Sequence, residues 1–371
     1  MQLAEEIYMK IKLIQVLSSW IFSSLAFGQS DYVKKLPLVS FELECVSENG
    51  LPLEDVDVKA SDYMVNLKEE FRRDTGKSKK DGKCILRFRA ISIVGVYAQK
   101  KGYYPSIAPA KHEQPIDERF IFDPFIRDGF DPQNSDAELP MKKKVELEAS
   151  ITLRKIKNPI PLYGKRVRMD IPARDVWIGY DFEVGDWVAP HGKGMNSDMR
   201  IRSKPKLLGT ENDDYTLVSG VATLEVEFGE GGGLLRVSKD NGWLAVSEMK
   251  MPHLAPETGY EQLPTLKIKQ EGWDDSAERE KAEGYFFRTR VKREGEKIVS
   301  AHYGKLLGRI NHIPVQRDGA WLGYKKKNLP SFGSIEFIYY FNPTANDRNL
   351  EFDLKKNLFK RLEPEQWLRQ P

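Results

Sequence analysis

The chain has 371 residues, with 58 Lys and Arg against 55 Asp and Glu, a formal charge of +3 and 40% hydrophobic residues. That length exceeds what one ordinary core organises, so two domains are expected, and the composition excludes a disordered or membrane-embedded chain. Basic and acidic residues are interspersed throughout, no basic face is legible, and a nucleic-acid partner is not expected.

Lys10 and Lys12 precede an apolar run over 13–27, and Ala26 and Gly28 stand at −3 and −1 of a cleavage site before Gln29. This order predicts a secretory signal over 1–28. Glu5 and Glu6 suit a basic n-region poorly if Met1 is the start, whereas Met9 opens a cleaner Met-Lys-Ile-Lys. The apolar run is shorter than the roughly 20 residues of a spanning helix. The expectation is therefore a secreted or periplasmic protein, cleaved near Gly28, with no transmembrane segment in the mature chain.

From 38 to 47, apolar and polar residues alternate as in a half-buried strand. Asn49-Gly50 is a two-residue hairpin signal, and Leu51 to Val58 reads as the next strand, with Val56 and Val58 on one face. Residues 59–80 are polar and irregular; Leu67 and Phe71 mark one short helix. Asp81-Gly82 turns into a strand over Cys84 to Phe88, and another runs from Ile93 to Ala98. The proline-punctuated stretch 108–144 is long for a loop, and Phe120, Phe122, Phe125 and Phe130 argue that it packs. Residues 145–156 read as a closing strand. Cys45 and Cys84, the two cysteines, fall on the apolar faces of their strands. In an oxidising compartment they are a candidate disulfide, with two buried free thiols as the equal alternative. No Cys or His spacing suits zinc, and neither a metal nor a cofactor is assigned.

The motifs Glu48-Asn49-Gly50-Leu51-Pro52-Leu53, Val56-Asp57-Val58, Asp81-Gly82-Lys83, Lys101-Gly102-Tyr103 and Ile151-Thr152-Leu153, in this order, resemble a carboxypeptidase regulatory-like domain, the transthyretin-like (prealbumin-like) Ig-type sandwich, over 38–157. The resemblance implies a β-sandwich and an accessory module, not a reaction. The 108–144 insertion departs from the family's pattern.

Asn158-Pro159-Ile160-Pro161 reads as an inter-domain connection. The remainder, 162–371, reads as a larger β-sandwich or jelly-roll-like domain. Its strands are expected at Val221 to Phe228, Leu234 to Val237, Leu266 to Ile268, Tyr285 to Val291, Lys297 to Tyr303 and Ile335 to Phe341. Gly229 to Gly233 and Asp240-Asn241-Gly242 read as hairpin turns, and short helices are expected at 274–283 and, from Pro364, near the C-terminus. The segments 178–194 and 339–353 look like the C-terminal region of exported bacterial proteins that carry a regulatory-like module, a likeness that implies architecture and no chemistry.

Two polar segments are candidate ligand sites. In 178–198, glycines interleave Tyr180, Asp181, Asp186, Trp187, His191 and Lys193. Glycine allows close backbone approach to a ligand, but Asp in turns also bonds its own backbone. In 342–353, Arg348 could present a fork to a carboxylate or phosphate, beside Asp347, although a turn held by side-chain-to-backbone bonds accounts for the same residues. Trp187, Trp243, Trp273 and Trp321 lie near turns where sugar-stacking platforms could sit, although tryptophans that plug sandwich ends and inter-domain contacts account for the same positions. HExxH spacing, a nucleophile elbow and a phosphate loop are absent, so no catalytic residue is assigned. The reading is an exported, non-catalytic binding or scaffolding protein of the cell envelope, with polysaccharide or another envelope protein as partner. Two alternatives are a hydrolase whose site draws on Asp181, Asp186, His191 and Arg348, and a purely structural protein.

Overall fold

Alternating side chains build both halves of the molecule, and the breaks in alternation decide how the strands are shared between sheets. The computed structural model describes residues 35–63, 72–108, 120–126, 140–211, 217–261, 266–270, 283–313 and 334–371. It is mainly β and divides into two compact units, Met1–Lys155 and Ile156–Pro371.

The first unit contains β1 (Leu38–Ser47), β2 (Asp57–Asp62), β3 (Arg73–Lys77), β4 (Lys83–Arg89), β5 (Val94–Gln99), β6 (Ser106–Ala108) and β7 (Lys144–Leu153). They form two sheets, ordered β4-β1-β7 and β3-β2-β5-β6. Val39, Phe41, Leu43 and Cys45 of β1 and Leu86 and Phe88 of β4 are buried, as are Val58, Ala60, Val96 and Ala98 of the other sheet. The closing strand β7 runs parallel to β1, from Leu38↔Lys144 to Ser47↔Leu153.

The turn at Asn49-Gly50 forms, with Gly50 at φ 75°, and makes only a short hairpin: the Ser47 N–H bonds the Leu51 carbonyl at 2.8 Å and the Leu53 N–H the Cys45 carbonyl at 2.9 Å. After an isolated bridge between Val46 and Pro52, the chain leaves β1, and β2 begins only at Asp57, in the other sheet. The pairing runs past Pro52 to Leu53 and stops before Asp55, which takes φ 55°. The stretch read as a strand from Leu51 is thus mostly a crossover.

The candidate disulfide is not formed. Leu43, not Cys45, lies opposite Cys84, while the Cys45 N–H bonds the Gly82 carbonyl at 2.8 Å. The two cysteines therefore take diagonal positions on one buried face, and both thiols are free. Burial, with Cys84 adding to it, pushes the Cys45 thiol up to about 12. Of the 108–144 stretch, Phe120 is buried with its ring edge on Phe41 at 6.1 Å. Phe130 and the helix marked by Leu67 and Phe71 lie outside the described residues.

The second unit contains β8 (Tyr163–Asp170), β9 (Ile178–Asp181), β10 (Asp186–Trp187), β11 (Met199–Glu211), β12 (Leu217–Glu227), β13 (Gly233–Val237), β14 (Leu266–Gln270), β15 (Gly284–Glu294), β16 (Lys297–Ile313) and β17 (Ser334–Asn342). One sheet is β10-β9-β11-β12-β14 and the other β13-β15-β16-β17-β8. Between them lies one aromatic-rich core that includes Ile178, Tyr180, Phe182, Ile201, Leu224, Phe287, Phe337, Tyr339 and Phe341. Phe182 stacks on Phe287 at 4.5 Å, and Tyr180 meets Trp187 edge-on at 5.5 Å; such pairs contribute about 0.5–1.5 kcal/mol each beyond their burial.

The second sheet is covered on its other face too. Phe286, Tyr303 and Tyr340 pack there with Val237, Trp243, Met251, Leu350 and Phe352. Strand β15 is consequently buried from Gly284 to Thr289, the uninterrupted burial expected of a strand covered on both faces. Because β12 and β13 belong to different sheets, Gly229 to Gly233 is a crossover and not a hairpin loop. Asp240-Asn241-Gly242 is likewise no hairpin: Lys239–Asn241 forms one 3-10 turn. The helix near the C-terminus is also a single 3-10 turn, Pro364–Gln366, with Pro at its start. The helix expected at 274–283 lies, but for Glu283, outside the described residues. Among the described residues no helix is long and apolar enough to cross a membrane.

Candidate functional site

The 178–198 segment folds around its own carboxylates. Asp181 ends β9 fully buried. Its Oδ1 accepts the Glu183 and Val184 N–H groups at 2.9 and 3.1 Å, and its Oδ2 accepts those of Met195 and Asn196 at 2.9 and 2.8 Å. Burial raises the Asp181 carboxyl, and the four backbone donors more than offset it, so its pKa lies below the ordinary value. Asp186 does the same on a smaller scale, accepting the Trp187 and Lys193 N–H groups at 2.8 and 3.0 Å. Gly192 and Gly194 are required by this packing: a Cβ would stand 2.4 Å from the Trp187 carbonyl oxygen at the first and 2.8 Å from the Asp181 Cβ at the second. The glycines thus serve close approach of the chain to itself.

Asp198 closes the segment against β15. Its carboxylate takes a two-pronged fork from Arg290, Nε at 2.6 Å and Nη2 at 2.9 Å, and accepts the Phe182 N–H at 2.9 Å. Arg290 also donates to Glu183 at 2.7 Å and passes 3.6 Å from Asp181, with its guanidinium over the Phe341 ring at 5.0 Å. Burial opposes the Arg290 charge, but Asp198 and Glu183 outweigh it and the pKa is raised.

Tyr180 and Trp187 are buried in the core, and the Trp187 indole N–H donates to the Asp170 carbonyl at 3.2 Å. Trp243 is also buried. These three are packing residues, which corrects the reading of Trp187 and Trp243 as open stacking platforms; Trp273 and Trp321 lie outside the described residues. The aromatic surface that is present has a different origin. Trp177 lies half-buried beneath Arg202 at 4.7 Å and Arg200 at 5.6 Å, beside the carboxylates Glu225 and Glu227 that pair with those arginines. His191, Lys193 and Met195 are exposed at the tip of the pinned loop.

The 342–353 segment is a chain of side-chain-to-backbone turns. Asn342 Oδ1 accepts the Thr344 N–H, Asp347 Oδ1 that of Asn349, and Asn349 Oδ1 that of Glu351. Glu351 is fully buried and accepts the Lys157 and Asn158 N–H groups at 2.9 and 2.5 Å. Arg348 points elsewhere, donating to the Ala255 carbonyl at 2.9 Å and pairing with Glu257 at 2.9 Å.

The residues named for a hydrolytic site therefore do not meet. Asp181 and Asp186 are occupied by backbone donors, His191 is exposed on the loop, and Arg348 belongs to the 255–257 loop. Among the described residues no group of three or more His, Cys, Asp or Glu could hold a metal ion. The residues that sequence reasoning missed are Arg288 and Arg290; the legible signal was arginine at both positions, directly after the aromatic run Tyr285-Phe286-Phe287.

No family model and no curated protein matches the chain. Among solved structures it is similar to 3-chlorocatechol 1,2-dioxygenase from Rhodococcus opacus, at 14% identity over 32% of this chain and 61% of that one, with a TM-score of 0.21. It is also similar to a candidate carbohydrate binding protein from Bacteroides uniformis, at 12% identity over 84% of this chain and 99% of that one, with a TM-score of 0.17. The chain thus spans less than two thirds of the dioxygenase, and TM-scores this low give neither likeness a bearing on fold or function.

Proposed function

We propose that the chain is an exported, non-catalytic binding or scaffolding protein of the cell envelope, secreted or periplasmic after cleavage near Gly28, whose first unit is a carboxypeptidase regulatory-like module and whose ligand is a glycan. The observation that carries the non-catalytic part is the saturation of Asp181, with four backbone N–H groups on one buried carboxylate. A carboxylate so occupied, with its pKa lowered, has no lone pair aimed at a substrate and no tendency to take up a proton near neutral pH. Its effect is to fix the 182–196 loop, and surfaces held this rigidly lose little entropy on binding. Export rests on the order of residues over 10–28.

Cell fractionation with sequencing of the mature N-terminus tests export; a cytoplasmic chain with its first 28 residues intact would remove it. Tryptophan fluorescence titrated with a panel of polysaccharides tests binding, and a flat response across the panel would remove the glycan.

A further inference from the structure

Arg288 is a buried charge of the second unit whose surroundings differ from those of Arg290. It is 8% exposed, its Nε donates to the Gly231 carbonyl and its Nη1 to the Glu257 carbonyl, both at 2.9 Å, and its guanidinium lies over the Tyr260 ring at 4.6 Å. Carbonyl oxygens and a ring face soften a buried charge but do not neutralise it. Among the described residues no carboxylate forms an ion pair with Arg288, and Nη2 has no hydrogen-bond partner. Arg348 stands next to it through one shared residue: the carbonyl of Glu257 holds Arg288, and the carboxylate of Glu257 holds Arg348 at 2.9 Å. Burial, with Tyr303 beside it, raises the Tyr260 hydroxyl, while Arg288 and Arg348 both oppose this. Glu257 is 74% exposed, and an ion pair so open to water is weak, so an incoming anion can displace it.

We propose that Arg288 and Arg348 form a carboxylate-binding site for a glycan chain bearing uronic acid. Two guanidiniums supply donors that match a carboxylate. A ligand carboxylate takes over the role of Glu257 and brings Arg288 a counter-charge that no described residue supplies. This rests on the glycan-binding reading and names the class of glycan.

The test is titration of the full mature chain with polygalacturonate, with a neutral glucan of similar length and with polyglutamate, at two salt concentrations. The expected result is salt-sensitive binding of polygalacturonate and none of the glucan. Arg348→Ala weakens that binding about tenfold, as removal of a charge-assisted hydrogen bond does, and Arg288→Gln abolishes it. Glu257→Gln strengthens it, because a competing carboxylate is gone; a merely structural role for these residues gives no such gain. If Arg288→Gln fails to fold, Arg348→Ala and Glu257→Gln still decide the matter, each checked by an unchanged Tm. No binding of polygalacturonate, or binding that Glu257→Gln leaves unchanged, would overturn the site. Binding of polyglutamate in preference would overturn the glycan. Binding of the neutral glucan alone would overturn this inference and leave glycan binding standing, whereas a flat response to every polysaccharide removes both.

Discussion

Arg290 and Arg288 lie two residues apart on β15, yet their surroundings differ in kind. Strict alternation would send both side chains to one face of the sheet. The pairing of β15 with β16 slips between Thr289 and Lys292, and Arg290 takes φ 50°, a conformation that costs about 1–3 kcal/mol for a residue other than glycine. The bulge turns Arg290 toward the 181–198 loop, where Asp198, Glu183 and Asp181 surround it. Arg288, in regular register opposite Tyr303, stays on the face covered by loops and meets, among the described residues, two carbonyls and the Tyr260 ring. The difference teaches how to sort buried charges here: one matched within its own chain holds the fold, and one matched by dipoles alone retains capacity for an outside anion.

The sharpest way to break this comparison is Arg290→Met. It leaves the buried Asp198 carboxylate without its fork and is expected to destabilise the second unit by about 4 kcal/mol, the range for breaking a buried ion pair by removing one partner. Urea unfolding measures it. A loss below about 1 kcal/mol, the range of surface pairs, would mean that Arg290 is not holding the loop.

A third buried polar pair extends the comparison to a group that is neutral. Ser203 Oγ and His312 Nε2 are 3.0 Å apart, both residues are buried, and His312 Nδ1 has no hydrogen-bond partner among the described residues. Burial lowers the His312 pKa from 6.5 to about 4. On acidification the unfolded chain takes up this proton first. The contribution is therefore complete above pH 6.5, is lost as pH falls from 6.5 toward 4, and amounts to about 3 kcal/mol. His312→Gln removes the charge change, so stability measured against pH over that window should flatten in the variant. An unchanged slope would assign the acid sensitivity to other groups.

Asp181→Asn probes the loop directly. Both oxygens of Asp181 receive N–H groups, so whichever way the amide is turned, its NH2 opposes backbone donors. About 2 kcal/mol of destabilisation is expected, that of leaving buried polar groups unsatisfied, together with faster proteolysis within 182–196. Stability equal to that of the parent protein would show that the carboxylate is not the anchor of the loop.

Much of the fold was legible because alternation over 38–47 and 84–88 reports one buried face directly, and the strands at 285–291 and 335–341 are apolar enough to read without it. What escaped has physical causes. The strand Arg73–Lys77 is polar on both faces, and hydropathy does not register such strands. Asn49-Gly50 specifies a turn, but how far the next strand pairs back is decided at Asp55 and by which sheet has room. In the site, glycines and aspartates pointed correctly to the 181–198 loop, while their partner Arg290 comes from about 90 residues away through a bulge that no spacing rule encodes. Arg348 stood out in the sequence as a candidate fork; its neighbour Arg288 did not, because an arginine within a strand reads as a solvent-facing position and the loop layer that buries it is not local.

The smallest expected effect on stability is that of Arg348→Ala. The side chain is 31% exposed and its partner Glu257 is 74% exposed, so the ion pair contributes at most about 1 kcal/mol and is screened by salt. The variant also lacks the hydrogen bond to the Ala255 carbonyl, and water can reach that oxygen once the side chain is gone. Urea unfolding should therefore place the variant within about 1 kcal/mol of the parent, although polygalacturonate binding falls. A large loss of stability from Arg348→Ala would put it in the class of Arg290, as a charge that the fold needs. Arg288 would then be left without a second cation free to engage a ligand.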